Sequence, residues 1–283
     1  MAKADNKTQK VSRKATLQKG LICDGLSFAA AEAYKLLRTN LLFSLPEKKC
    51  HILGVTSSVR GEGKSTTSVN LAYTIAQSGK KVLLIDADMR LPSVAAKMNI
   101  HGAPGLSNLI AGLNSERSCL RQSEYFENWY ILPAGDIPPN PSELLGSDRM
   151  HNMLGHYQDV FDVIIIDLPP INIVTDALVI SKWTDGLIGV VRENYTDKRA
   201  LSDCMYQVKK LGVKFLGFVM TDAAVGAGSY KHYGKYAKSY GYGYDYAGST
   251  SKTSSQKQKA FLEVTGEGLE AETEDVEITN SDS

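Results

Sequence analysis

Short apolar runs alternate with stretches of helical periodicity along most of this chain. Ile52–Thr56, Val82–Ile85, Val163–Ile166, Leu187–Val191 and Phe215–Met220 read as strands, and Trp129–Pro133 as a further short one. Ser65–Gln77 and Asp197–Leu211 read as helices, with shorter helical pieces at Ala177–Lys182 and within Ser142–Tyr157. The stretch from Asp86 to about Asn99 reads as irregular. Ahead of the first strand, Ala33, Leu36, Leu37 and Leu41 recur at helical spacing and predict a helix from about Ser27 to Phe43, ended by Pro46. Strands that are apolar throughout, rather than alternating, are buried on both faces. The pattern therefore predicts an α/β fold: a mostly parallel sheet with helices on both sides. Ligands of such sheets bind beyond the carboxyl ends of the strands.

The pattern stops after Asp222. Residues 223–255 are mainly Gly, Ser, Lys and Tyr, too poor in aliphatic side chains to form a core. Seven of the 14 tyrosines fall there: Tyr230, Tyr233, Tyr236, Tyr240, Tyr242, Tyr244 and Tyr246. The organisation expected is a basic flexible arm over 1–25 and a folded domain over 26–225. A tyrosine-cluster tail over 226–250 and an acidic disordered tail over 251–283 complete it.

Composition changes little in this picture. Apolar residues make up 43% of the 283, and the formal net charge is +1, so bulk charge does not mark a polyanion binder. The charge is segregated instead: Lys3, Lys7, Lys10, Arg13, Lys14 and Lys19 crowd one end, and eight acidic residues from Glu263 to Asp282 the other. Cys23, Cys50, Cys119 and Cys204 have neither metal-ligand nor redox-motif spacing and fit a reducing cytosol. The five histidines share no ligand spacing. No apolar run approaches the roughly 18 residues needed to span a bilayer, so a membrane address would come through a partner.

The chemistry lies at three strand ends. After the first strand comes Ser57-Ser58-Val59-Arg60-Gly61-Glu62-Gly63-Lys64-Ser65-Thr66, a phosphate-binding loop with Ser58 in place of the usual first glycine. Gly61 and Gly63 let successive N–H groups face one anion, and the following helix adds its dipole. Gly61, Glu62, Gly63, Lys64, Ser65 and Thr66 are the candidate nucleotide-binding residues, with Lys64 for the β- and γ-phosphates and the Ser65 hydroxyl for magnesium. Asp86 and Asp88 follow the second strand, and Asp167 follows Ile164–Ile166. Carboxylates at the ends of apolar strands are costly without a cation or donors, and beside such a loop the natural cation is Mg2+. Asp167 and Asp88 are candidate metal residues; Lys64, Asp86 and Asp88 are candidate catalytic residues, and either aspartate can be the base. Asp176, Asp185 and Arg192 read as capping, pairing or surface residues.

With these residues assembled, the chain resembles the bacterial tyrosine kinases of capsule and exopolysaccharide synthesis, over roughly residues 27–246. The resemblance rests on the order of four features: Ser57–Thr66, the second acidic motif Leu84–Arg90, Ile164–Pro170 and the tyrosine cluster. It implies a P-loop NTPase fold, ATP with Mg2+ as cofactors, and autophosphorylation of Tyr230, Tyr233, Tyr236, Tyr240, Tyr242, Tyr244 and Tyr246. The family's Glu-x-x-Arg-x-x-Arg helix, which docks subunits into a ring, is matched by Glu32, Lys35 and Arg38, with lysine replacing the first arginine. A separate membrane-spanning modulator and a cognate tyrosine phosphatase are the implied partners, with no nucleic acid. The implied location is cytoplasmic, at the inner face of the membrane through that modulator. A partitioning-type ATPase is the competing reading, but the Lys-Gly-Gly of those proteins is replaced by Ser57 and Ser58. A nucleotide-dependent scaffold without kinase activity is a second.

Overall fold

The computed structural model describes residues 21 and 25–223, together with the backbone of 260–263. Its elements run α1 (Phe28–Ser44), β1 (His51–Ser57), α2 (Lys64–Gln77), β2 (Val82–Asp86), α3 (Val94–Lys97), α4 (Leu106–Ala111), α5 (Glu116–Cys119), β3 (Arg121–Gln122), β4 (Trp129–Leu132), α6 (Pro141–Leu145), α7 (Asp148–Val160), β5 (Val163–Asp167), α8 (Asp176–Ser181), β6 (Gly186–Arg192), α9 (Lys198–Lys210), β7 (Phe215–Thr221) and β8 (Ala260–Glu263). The strands form one sheet in the order β3-β4-β2-β5-β1-β6-β7-β8. The six inner strands are parallel, and β3 and β8 pair antiparallel at the two edges.

The apolar runs are buried as their composition demands, every residue of β2 and β5 included. Alternate residues of each strand feed opposite layers. Leu53, Val55, Leu84 and Ile165 pack with Tyr34, Leu37 and Leu41 of α1 and with Val69, Leu71 and Ile75 of α2. Ile52, Leu83, Ile85, Ile164 and Ile166 pack beneath α4 to α9. Each such side chain, fully buried, is worth about 1.5–3 kcal/mol of transfer free energy, so the sheet centre is a rigid platform for whatever stands on its strand ends.

The elements differ from the sequence reading in a few places. The buried stripe of α1 is Ala30, Tyr34, Leu37 and Leu41, whereas Leu36 is 48% exposed. The helical region after 141 is two helices, separated where Gly146 and Ser147 interrupt it. The irregular stretch after β2 contains α3, and α4, α5 and β3 carry too few residues to give a periodic signal. Four residues of the stretch read as acidic tail, Ala260–Glu263, pair with β7 as an edge strand. The tyrosine cluster lies outside the described residues, as does the basic arm apart from residues 21 and 25; Leu21 is buried against the layer that α1 and α2 form.

Candidate active site

Register brings the three acidic positions together. Asp86 ends β2 and Asp167 ends β5, and the two are direct neighbours across that parallel pair. Val55, two residues before the loop on β1, flanks Asp167 on the other side. Carboxyl-ended apolar strands in register thus converge on one edge of the sheet beneath the phosphate-binding loop.

Gly61 and Gly63 adopt φ of +83° and +94°, conformations that an L side chain resists. At Gly61 a Cβ would also meet the Tyr195 hydroxyl at 2.9 Å. Ser58 is buried and donates to the Glu62 carboxylate at 2.8 Å, which explains why serine serves where glycine is usual. Glu62 is fully buried, and its Oε2 also accepts from the Val59 N–H at 2.8 Å, while Oε1 accepts from the Thr196 hydroxyl. Its carboxylate is therefore an internal brace, and only its main chain remains to serve a nucleotide. The β6–α9 connection buttresses the loop from outside: Tyr195 donates to Arg60 O at 3.0 Å, and Arg192, ion-paired with Asp222 at 2.6 Å, reaches Gly61 O at 3.4 Å.

Lys64 opens α2 and turns back over the carboxylates. Its Nζ lies 2.8 Å from Asp88 Oδ2, 3.2 Å from Ser65 Oγ and 3.6 Å from Asp167 Oδ2. Burial opposes its charge, but Asp167 and Asp88 outweigh burial and raise its pKa. Asp167 Oδ1 accepts from Ser68 at 3.0 Å, and Oδ2 accepts no hydrogen bond although fully buried. Burial raises the Asp167 pKa, partly offset by Lys64 and by the Ser65 and Ser68 hydroxyls. Asp86 is held differently. Its Oδ2 accepts from the Ser93 and Val94 N–H groups at 3.1 and 3.0 Å, at the start of α3, and its Oδ1 from the Asp88 N–H at 3.2 Å. Burial, then the charge of Asp167, pushes its carboxyl up to about 7.

A magnesium ion fits this donor set. Mg2+ characteristically takes one or two protein carboxylates and completes its shell with waters and substrate phosphates. Asp88 and Asp167, with the Ser65 hydroxyl beside them, are such a set, and the Oδ2 of Asp167, which accepts no hydrogen bond and has Lys64 only at 3.6 Å, is the buried anion that such a cation would satisfy. Among the described residues no three His, Cys, Asp or Glu side chains could hold a metal by themselves.

Other residues fall outside this cluster. Glu32 pairs with Lys35 inside α1 at 2.6 Å, and Arg38 donates to Thr74 O on α2 at 2.7 Å. Asp176 is buried and takes Arg90 at 3.0 Å, and Asp185 takes Lys48 at 2.6 Å and the Ile52 N–H at 2.8 Å. Ser68, Thr196 and Lys97 escaped the sequence reading. Burial lowers the Lys97 pKa, opposed by the charge of Asp167, so this lysine shares the field of the site. Only the helical step of four from Lys64 to Ser68 hinted at any of them.

Residues 51–212 match the model of the AAA domain family. Tyrosine-protein kinase CpsD of Streptococcus agalactiae is 37% identical over 213 residues, 73% of this chain and 90% of that protein. Tyrosine-protein kinase YwqD of Bacillus subtilis (strain 168) is 35% identical over 205 residues, 72% of this chain and 86% of its own. Among solved structures, the kinase domain of the Escherichia coli tyrosine kinase ETK superposes with a TM-score of 0.64 at 33% identity, over 68% of this chain and 74% of that one.

Proposed function

The chain belongs to the family of bacterial tyrosine-protein kinases and is itself a protein-tyrosine kinase; from that premise we propose that it transfers the γ-phosphoryl group of ATP to tyrosines of its own segment Tyr230–Tyr246. The observation that carries this reading is the convergence of Lys64, Asp88 and Asp167 under the phosphate-binding loop, with one Asp167 oxygen accepting no hydrogen bond.

A Mg2+ ion bound with ATP would neutralise the charge that develops on the phosphates. Ser65, Asp88 and Asp167 would hold that ion. The loop N–H groups and the α2 N-terminus receive the phosphates, and Lys64 leaves Asp88 to lie along them. A tyrosine hydroxyl is a weak nucleophile near neutrality because its pKa is about 10. Asp86, whose carboxyl titrates at about 7, is the assigned base. The phenolic oxygen bonds to the γ-phosphorus as the bond to the β-phosphate oxygen breaks. The phenolic proton passes to Asp86, and ADP departs.

Self-phosphorylation between subunits explains the abundance of acceptor tyrosines, since tethering raises their local concentration. Phe28, Leu36 and Phe43 stand exposed on α1 beside Glu32, Lys35 and Arg38, which supports a subunit contact there and a ring. A membrane-spanning modulator would activate the enzyme at the inner face of the membrane, and a tyrosine phosphatase would reset it. The pathway served would be capsule or exopolysaccharide synthesis. Among the described residues no helix is long and apolar enough to cross a membrane.

The test is incubation with ATP and magnesium, with and without the cytoplasmic segment of a modulator, followed by intact mass and phosphotyrosine mapping. Phosphate on 230–246, absent from Lys64→Met, is the expected result. No phosphate under either condition, despite tight nucleotide binding, would overturn the reading.

A further inference from the structure

We propose that the hollow between α4, α5 and α7 is a binding site for a small organic anion, a carboxylate carried on a compact apolar body. The hollow has a volume of about 300 Å³, at the lower end of small-molecule pockets. None of its lining belongs to the phosphate-binding loop or to the acidic strand ends.

The floor is apolar, made by Leu109, Ile110, Met153 and the ring of Tyr157. Tyr157 is 1% exposed, and its hydroxyl has no hydrogen-bond partner. A buried hydroxyl left unpaired is destabilising, and a ligand oxygen reaching it would recover that cost. The rim is rich in donors. Arg149 forms no ion pair among the described residues; only its Nη1 is committed, donating to Ile110 O at 3.1 Å. A guanidinium has five N–H donors, so most of its fork remains for a carboxylate. Gly112 makes room for it, since a Cβ there would stand 2.8 Å from Arg149 Nη1. The one rim carboxylate, Glu116, lies 3.8 Å from His156, a pair that forms an ion pair when the imidazole is protonated, whereas Arg149 has no carboxylate of its own among the described residues. An apolar floor, a buried donor and the largely uncommitted Arg149 fork at the edge favour an anion with an apolar body over a neutral solute.

The probe is phenylacetate, with neutral phenylacetamide as its control, titrated into the full chain by saturation-transfer NMR and thermal shift. Binding is expected at roughly millimolar or tighter affinity, with the amide at least tenfold weaker. Saturating ADP should leave it in place, since the hollow shares no residue with the nucleotide site. Tyr157→Phe keeps the ring and removes only the unpaired hydroxyl, so its melting temperature should equal or exceed that of the parent while phenylacetate binds several-fold more weakly. Arg149→Gln should abolish the preference for acid over amide. Equal affinity for acid and amide, displacement by ADP, indifference to both substitutions, or no saturable binding would each overturn the proposal.

Discussion

Two carboxylates near the loop look alike in sequence and are held quite differently. Asp88 is ion-paired with Lys64, whereas Asp86 is sunk against α3 with its carboxyl raised to about 7. A carboxyl whose folded pKa lies above its unfolded value of about 3.9 adds stability that is fully present below that value and is lost as pH rises through 7. Asp86→Asn removes this loss. Without nucleotide, its melting temperature should exceed that of the parent at pH 8 and converge with it near pH 4, while phosphotyrosine formation falls by at least a hundredfold. A melting difference independent of pH would remove Asp86 from the titrating cluster. Glu62 makes a different prediction. Its carboxylate satisfies Ser58, Val59 N–H and Thr196 inside the protein, so Glu62→Ala leaves several donors unpaired. The expected cost is about 2 kcal/mol or more by urea denaturation, with weakened ATP binding because the loop loses its brace.

At the scale of elements, the shortest pieces are the most tightly constrained. α4 is six residues long, and at Gly105, just ahead of it, a Cβ would stand 2.2 Å from Pro133 O and 2.5 Å from Gly135 N. Backbone cannot yield as a side chain can, so Gly105→Ala should destabilise by about 3 kcal/mol, seen as a lower urea midpoint. Nothing in the sequence marked that glycine, because the constraint comes from a loop nearly thirty residues away. The same reason separates what was legible from what was not. The strands and α2 announced themselves because burial on both faces writes a continuous apolar run, and the acidic ends were legible because charge there is expensive. Leu36 was misplaced because Ala33, Leu36, Leu37 and Leu41 span a wider arc than the helix buries, and the polar-tipped Tyr34 takes the inner position instead. The inward turn of Glu62 was not legible either, since a loop glutamate carries no periodicity.

At the scale of the molecule, the site is assembled by topology. β1, β2 and β5 are separate in sequence and adjacent in the sheet, so the phosphate-binding loop, Asp86, Asp88 and Asp167 sit on one edge of it. The pairing of β8 with β7 has a different consequence. Thr221 faces Ala260, so the intervening 38 residues begin and end at one place. The proposed acceptor tyrosines are therefore anchored to the sheet on both sides in sequence, and contour length ranks them. Tyr240 is 19 residues from Thr221 and can extend about 65 Å from the sheet edge, whereas Tyr246, 14 residues from Ala260, can extend about 48 Å. If the accepting site is distant, Tyr240 and Tyr242 should fill before Tyr246. Ending the chain before Ala260 unties the loop, and phosphotyrosine mapping should then show Tyr246 gaining most. The four edge residues Ala260–Glu263, far from any phosphate, would in this way act as the knot that decides which tyrosine arrives first.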